Sequence, residues 1–256
     1  MAAAASLMPA PAIESLLVSL RLGPMFLFAP PFSLMRIPAR VRVVCVLGCA
    51  TALAALARPV GALSSGQLLS AMAGELLLGA VIAFSWQAAF AGLLFAGRVL
   101  DLQAGFGMAL IIDPATRAQT PLFGTLLALG GGVVFFAGNV HHEVLRLLAA
   151  LNEWLPPGSM TLALDSSVLV SYLGKVMSVG LVTTAVAIVV LFLIDLALAF
   201  LSRVLPQMNV LMLGLQVKSI VSVLVLGLSL ALLGPVMVRL SALAASFVPH
   251  LLGASR

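Results

Sequence analysis

Leu76–Gly97 reads LLLGAVIAFSWQAAFAGLLFAG, 22 residues without a charge, closed at one end by Glu75 and at the other by Arg98. A helix needs roughly 18–20 apolar residues to cross the hydrocarbon of a bilayer, so this run alone is long enough. Working outward, three more uncharged runs reach that length: Ala118–Val140 with 23 residues, Val176–Ile194 with 19 and Ser219–Val238 with 20. Leu22–Met35 and Val43–Ala57 are shorter, at 14 and 15. The first of these two holds Pro24, Pro30 and Pro31 and is expected to kink or break. Hydrophobic residues make up 62% of the 256, charged residues only 8%, and the mean hydropathy is +1.23. A soluble domain carries about a quarter charged residues. The fold class is therefore all-α, a polytopic membrane-type protein with six apolar segments.

Thirteen Lys and Arg against eight acids give a net charge of +5. The positives are scattered at segment ends, with no basic stripe and no aromatic platform, so they serve topology and anionic headgroups rather than nucleic acid. Arg36, Arg40 and Arg42 place the first connection in the cytoplasm by the positive-inside rule, and the acidic Asn139–Ser167 connection outside. The opening MAAAASLMPAPAIE lacks the positive region of a cleaved signal, so the first apolar segment is expected to direct its own insertion. Ser64-x-x-Gln67 reads as a capping box. A helix from Gln67 to Gly97 would be about 45 Å long, more than the bilayer core, and must tilt, bend or protrude. Gly130, Gly131 and Gly132 imply close approach by another backbone. Cys45 and Cys49, beside Gly48 and Ala52, read as a helix-packing surface, since two soft ligands without a nearby His or acid make a poor metal site.

Charges inside apolar segments need partners. Asp195 lies eleven residues before Pro206, and Lys218 eleven after Gln207. In a hairpin turning at Pro206-Gln207 they come level, as a neutralising pair that fixes register or as a proton relay. Glu75 has no partner set by such symmetry. Arg42 could reach it, and Glu75 then anchors an interface or handles ions. His142-Glu143 fails as a zinc helix because the residue four after His142 is Arg146. His141 and His142, adjacent on a helix, should point to different faces at a membrane boundary. Walker, GxGxxG and GxSxG motifs are missing. Asp101 and Asp113 are twelve apart, with nothing to make them converge. The chain reads as a non-enzyme without catalytic, cofactor-binding or metal-ligating residues.

The remaining anomaly is Arg98–Pro121, RVLDLQAGFGMALIIDPATRAQTP. Its charged ends surround an apolar centre of Phe106, Met108, Leu110, Ile111 and Ile112. Gly105 and Gly107 loosen the backbone, and Pro114 disfavours helix at Asp113. A loop too apolar for solvent and too broken for lipid is tolerated at membrane depth only around protein or a water-filled cavity. It hints at a pore.

Six blocks, in order along nearly the whole chain, resemble one family: the flagellar FliR proteins and the SctT branch of type III secretion export gates. They are RLGPMFLFAPPF with RIPARVRV (Arg21–Phe32, Arg36–Val43), GELLLG (Gly74–Gly79), LDLQAGFGMALIIDPATRAQTP (Leu100–Pro121), GNVHHEVLRLLAALNEWLPPG (Gly138–Gly158) and RVLPQMNVLMLGLQVKS (Arg203–Ser219). The GN-x-HH and PQMNV segments look more like the flagellar branch. Leu151-Asn152-Glu153, where the family often has Ser, and Leu211, where it often has Phe, depart from the pattern.

The resemblance implies a core subunit of a helical export gate in the bacterial inner membrane, within the flagellar basal body. FliP-like and FliQ-like subunits, other export-apparatus membrane proteins, unfolded protein substrates and membrane lipid would be its partners. Residues 1–165 would be FliP-like and 166–256 a FliQ-like hairpin, with the boundary near Leu164–Val168. Many apparent spans would be lifted into a closed cone above the membrane, against the positive-inside topology. The family's plug loop falls on Gln103–Pro121. Gly105, Phe106, Gly107, Met108, Leu110, Ile111 and Ile112 would then form the seal, anchored by Gln103, Asp113 and Pro114, while Glu75, Asp195 and Lys218 serve assembly.

The competing reading is an ion-coupled small-molecule transporter, with Glu75, Asp195 and Lys218 as coupling residues. It expects internal symmetry, yet the glycine and proline interruptions concentrate before residue 132. A purely structural scaffold is the third.

Overall fold

The computed structural model describes residues 10–34, 37–56, 63–106, 121–159, 165–207 and 209–253. Ser64 N–H donates to Gln67 Oε1 at 2.9 Å, and Gln67 N–H to Ser64 Oγ at 3.4 Å, which closes the capping box anticipated there. From it runs one of eight helices among the described residues: α1 Ala10–Phe28, α2 Ala39–Ala54, α3 Ser65–Gln103, α4 Leu122–Ala137, α5 Val140–Trp154, α6 Ser166–Val204, α7 Val210–Ala231 and α8 Leu233–Leu251. No strand occurs among the described residues. With 39 residues each, α3 and α6 are about 58 Å long at the usual rise, almost twice the hydrocarbon thickness. Asp165 caps α6, its Oδ1 accepting from Ser167 N–H at 2.8 Å. The Ser167 hydroxyl and amide hold that carboxyl below the usual carboxylate range.

The protein is an all-α membrane protein, but its spans differ from the six apolar segments. Among the described residues four helices are long and apolar enough to cross a membrane: Pro11–Phe28, Ser65–Gln103, Ser166–Val204 and Met212–Ala231. The pair α4 and α5, bent by 71°, makes a fifth if it is one span. The bend sits at Gly138-Asn139, where Asn139 takes a left-handed φ of 57°. The Val43–Ala57 segment becomes α2, which at 16 residues is too short. The Ser219–Val238 run is cut at Leu232, because Pro235 restricts Gly234 before it and is tolerated only in the first turn of a new helix.

The Leu22–Met35 segment does break, since α1 ends at Phe28 and the chain turns through Pro30 and Pro31, but Pro24 neither ends nor interrupts the helix. Proline deprives the Leu20 carbonyl of its helical donor. That carbonyl lies against Gly79 of α3, where an added Cβ would come within 2.8 Å of it. The missing side chain lets α3 come up against that carbonyl.

Two compact units divide the chain: Met1–Ala89 with Phe135–Tyr172 and Ser241–Arg256, and Phe90–Val134 with Leu173–Leu240. They follow packing rather than chain order, so the division falls inside α3, α4, α6 and α8. Leu17, Met25, Leu78, Ile82, Trp86 and Leu148 are fully buried in the first, alongside stacked Phe26 and Phe32. Phe90, Leu93, Leu100, Phe123, Leu127 and Met237 form the core of the second.

Gly130 and Gly131 do admit neighbours, but these are the side chains of Leu233, Leu230, Leu93 and Met237 rather than a backbone. True backbone contact occurs at isolated glycines, where Gly97 meets Gly124 and Gly92 meets Gly180. Small residues spaced singly let helices approach without breaking either.

Candidate functional site

The loop anticipated as a seal leaves α3 through an ordinary helix stop. Ala104 N–H bonds to the Leu100 carbonyl at 2.8 Å and Gly105 N–H to that of Leu102 at 3.2 Å. Gly105 then turns with a φ of 88°, where a side chain would be strained and would meet Leu215. The next residue, Phe106, sets its ring edge-on to Phe123 of α4 at 5.3 Å. Gln103 is half-buried in the last turn of α3. The other expected seal residues, Gly107, Met108, Leu110, Ile111 and Ile112, and the expected anchors Asp113 and Pro114, lie outside the described residues.

Glu75 is fully buried, and its partner is Arg21 of α1, not Arg42. Arg21 Nε donates to Glu75 Oε2 at 2.6 Å and Nη2 to Oε1 at 2.9 Å, a two-pronged pair. The remaining Arg21 donors reach Asn152 Oδ1 at 2.6 Å and the Leu155 carbonyl at 3.0 Å. Glu75 Oε1 also accepts from Gly158 N–H at 2.8 Å. One carboxylate thus ties α1, α3 and the turn after α5 together. Arg42 instead donates to the Leu27 carbonyl at 3.0 Å, at the end of α1. Arg21 lies 54 residues from Glu75, at the edge of a proline-rich segment, so no local pattern in the sequence pairs them. Its signal was position: an arginine one helical turn before Pro24 cannot face lipid cheaply.

Lys218 of α7 and Asp195 of α6 form an ion pair, as the symmetric register about Pro206-Gln207 implies. Lys218 is 16% exposed and Asp195 46%. They line a cleft of about 320 Å³ with Leu198, Ser202, Gly214 and Leu215. Glu75 and Asp195 are thus each neutralised by a cation of this chain.

Two smaller readings are corrected. The face of α2 that packs is Val46, Ala50 and Ala54. Cys45 is exposed, and no described residue lies within 4 Å of a Cβ placed on Gly48, so the cysteine stripe is not a packing surface among the described residues. Burial, and then Cys45 beside it, push the Cys49 thiol up, away from the thiolate that redox or metal chemistry uses. His141 and His142 do not diverge: their rings tilt together at 4.2 Å, and His141 also meets Phe136 at 5.5 Å.

A sequence profile of the family described as bacterial export proteins, family 1, matches residues 12–244. The flagellar biosynthetic protein FliR of Escherichia coli (strain K12) is 28% identical over 162 residues, 63% of this chain and 62% of that protein. The secretion system apparatus protein SsaT of Salmonella typhimurium is 31% identical over 164 residues, 63% of each. FliR of Caulobacter vibrioides is 26% identical over 219 residues, 84% of this chain and 87% of its own. The chain spans about three-fifths of the length of the Escherichia coli relative it matches.

Proposed function

The chain belongs to the bacterial export proteins, family 1, and from that premise we propose that it is a core, non-enzymatic subunit of the flagellar type III protein export gate. Its place is the bacterial inner membrane, within the basal body, assembled with FliP-like and FliQ-like subunits and other export-apparatus proteins. Unfolded flagellar proteins pass along the channel it helps to form. The observation that carries this reading is the apolar stretch between Gly105 and Pro121, in a chain similar to flagellar FliR and to secretion-apparatus SsaT. Soft apolar side chains exclude ions yet repack around a passing chain. The test is deletion of Gly107–Ile112 in the assembled complex. Resting vesicles should become leaky to small ions and solutes, and unchanged permeability overturns the seal.

Asp195 and Lys218 separate this reading from ion-coupled transport. Lys218→Ala removes about 1 kcal/mol, discounted because Asp195 is half-exposed, and leaves an unpaired carboxylate on an apolar hairpin. Yield of the assembled complex should fall roughly fivefold, the factor that such a loss represents. Normal assembly with abolished ion flux would favour a transporter instead.

A further inference from the structure

One buried acid is used by none of this. Asp101, in the last turn of α3, is 7% exposed. Its Oδ1 accepts from Phe123 N–H, 22 residues away, at 3.1 Å. The amides of Leu122 and Gly124 face the same carboxylate, and Arg98 lies near enough to attract it. The reason is at the start of α4. Thr125 N–H bonds to the Pro121 carbonyl at 2.9 Å, which makes Pro121 the residue that opens the helix. That position ordinarily carries a side-chain oxygen for the free amides of the first turn. Proline has none. Asp101 supplies the missing acceptor from a different helix, with the α4 dipole favouring its negative charge.

The consequence is geometric. Asp101 stands at the chain's exit from α3, and Phe123 at its return into α4. Two further contacts close the same point: the Phe106 ring on Phe123 and the backbones of Gly97 and Gly124. An acid in an apolar helix is costly without partners, and this one is spent on joining the ends of the loop. Among the described residues its second oxygen, Oδ2, is buried with no partner.

We propose that Asp101 is the latch of the loop's base, a positioning residue that holds the chain's exit from α3 and its return into α4 together. The proposal rests on the reading of that loop as a seal, and its test keeps the two apart. Spin labels go on Leu102→Cys and Leu122→Cys, both more than half exposed, with Cys45 and Cys49 changed to serine, in the assembled complex in lipid vesicles. Asp101→Ala should raise the population of separated ends roughly tenfold, the weight of one charge-assisted bond. Asp101→Asn keeps a side-chain oxygen for the Phe123 amide and should retain the parental distances. Should the alanine variant fail to assemble, Asp101→Ser, which is too short to span the gap, is read the same way. Unchanged 102–122 distances in the alanine or serine variant overturn the latch, as does separation in Asp101→Asn. Separated ends without an increased resting leak leave the latch standing and overturn the seal.

Discussion

Glu75→Ala is expected to destabilise the chain by about 3–5 kcal/mol, the cost of stranding a buried charge, and to leave little folded protein in the membrane fraction. The loss comes from what remains behind. Arg21 is 1% exposed and would keep its charge with only Asn152 and the Leu155 carbonyl to solvate it. The exposed pair of Glu143 and Arg146, at 67% and 76% side-chain exposure, is the contrast. Removing Glu143 should change stability by less than about 0.5 kcal/mol. Changing Arg21 to Met and Glu75 to Leu together should recover part of the loss, because no lone charge then remains. Recovery stays incomplete, since the Gly158 amide and the Asn152 side chain lose their partners. Thermal unfolding of the detergent-solubilised chain reads all four proteins. A Glu75→Ala variant melting with the parent, or a double variant no better than Glu75→Ala, would remove the network from any structural role.

That network marks where sequence reading stopped. Ser64 and Gln67 were legible because a capping box is local, three residues wide and chemically reciprocal. Asp195 and Lys218 were legible for a different reason. A turn midway between two charges fixes register in an antiparallel pair, whatever surrounds it. Arg21, Glu75 and Asn152 share neither property. Their separations of 54 and 131 residues are set by how helices cross, and no periodicity encodes a crossing. Leu232 is a milder case, since Gly234-Pro235 announced the break while a count of charges alone ran through it. Asp101 was visible as a charge beside the loop, but its role depends on Pro121, twenty residues on, opening a helix it cannot cap. The apolar stretch between Gly105 and Pro121 stands out in sequence because its composition conflicts with both water and lipid. Its closed base does not.

Gly97 tests that base without touching a charge. A Cβ at Gly97 would fall on the backbone of Gly124, and one at Gly124 would sit 2.8 Å from the Leu94 carbonyl. Backbone atoms cannot rotate aside as side chains do, so Gly97→Ala must push α3 and α4 apart. The expected cost is about 1–3 kcal/mol, as for overpacking elsewhere, even though alanine in a helix interior otherwise gains roughly 0.5–1 kcal/mol over glycine. Gly174→Ala in α6 isolates that gain, because among the described residues nothing lies within 4 Å of its Cβ position, and it should raise the melting temperature. The separation has a second effect. Asp101 lies one helical turn beyond Gly97, and Phe123 is the residue before Gly124, so parting the helices here stretches the Asp101 to Phe123 bond with both partners intact. Gly97→Ala should therefore reproduce the widened 102–122 distances of Asp101→Ala while leaving the carboxylate in place. A variant as stable as Gly174→Ala, with unchanged distances, would mean that the two backbones do not meet. A destabilised variant with unchanged distances would mean that the crossing supports the unit but not the loop.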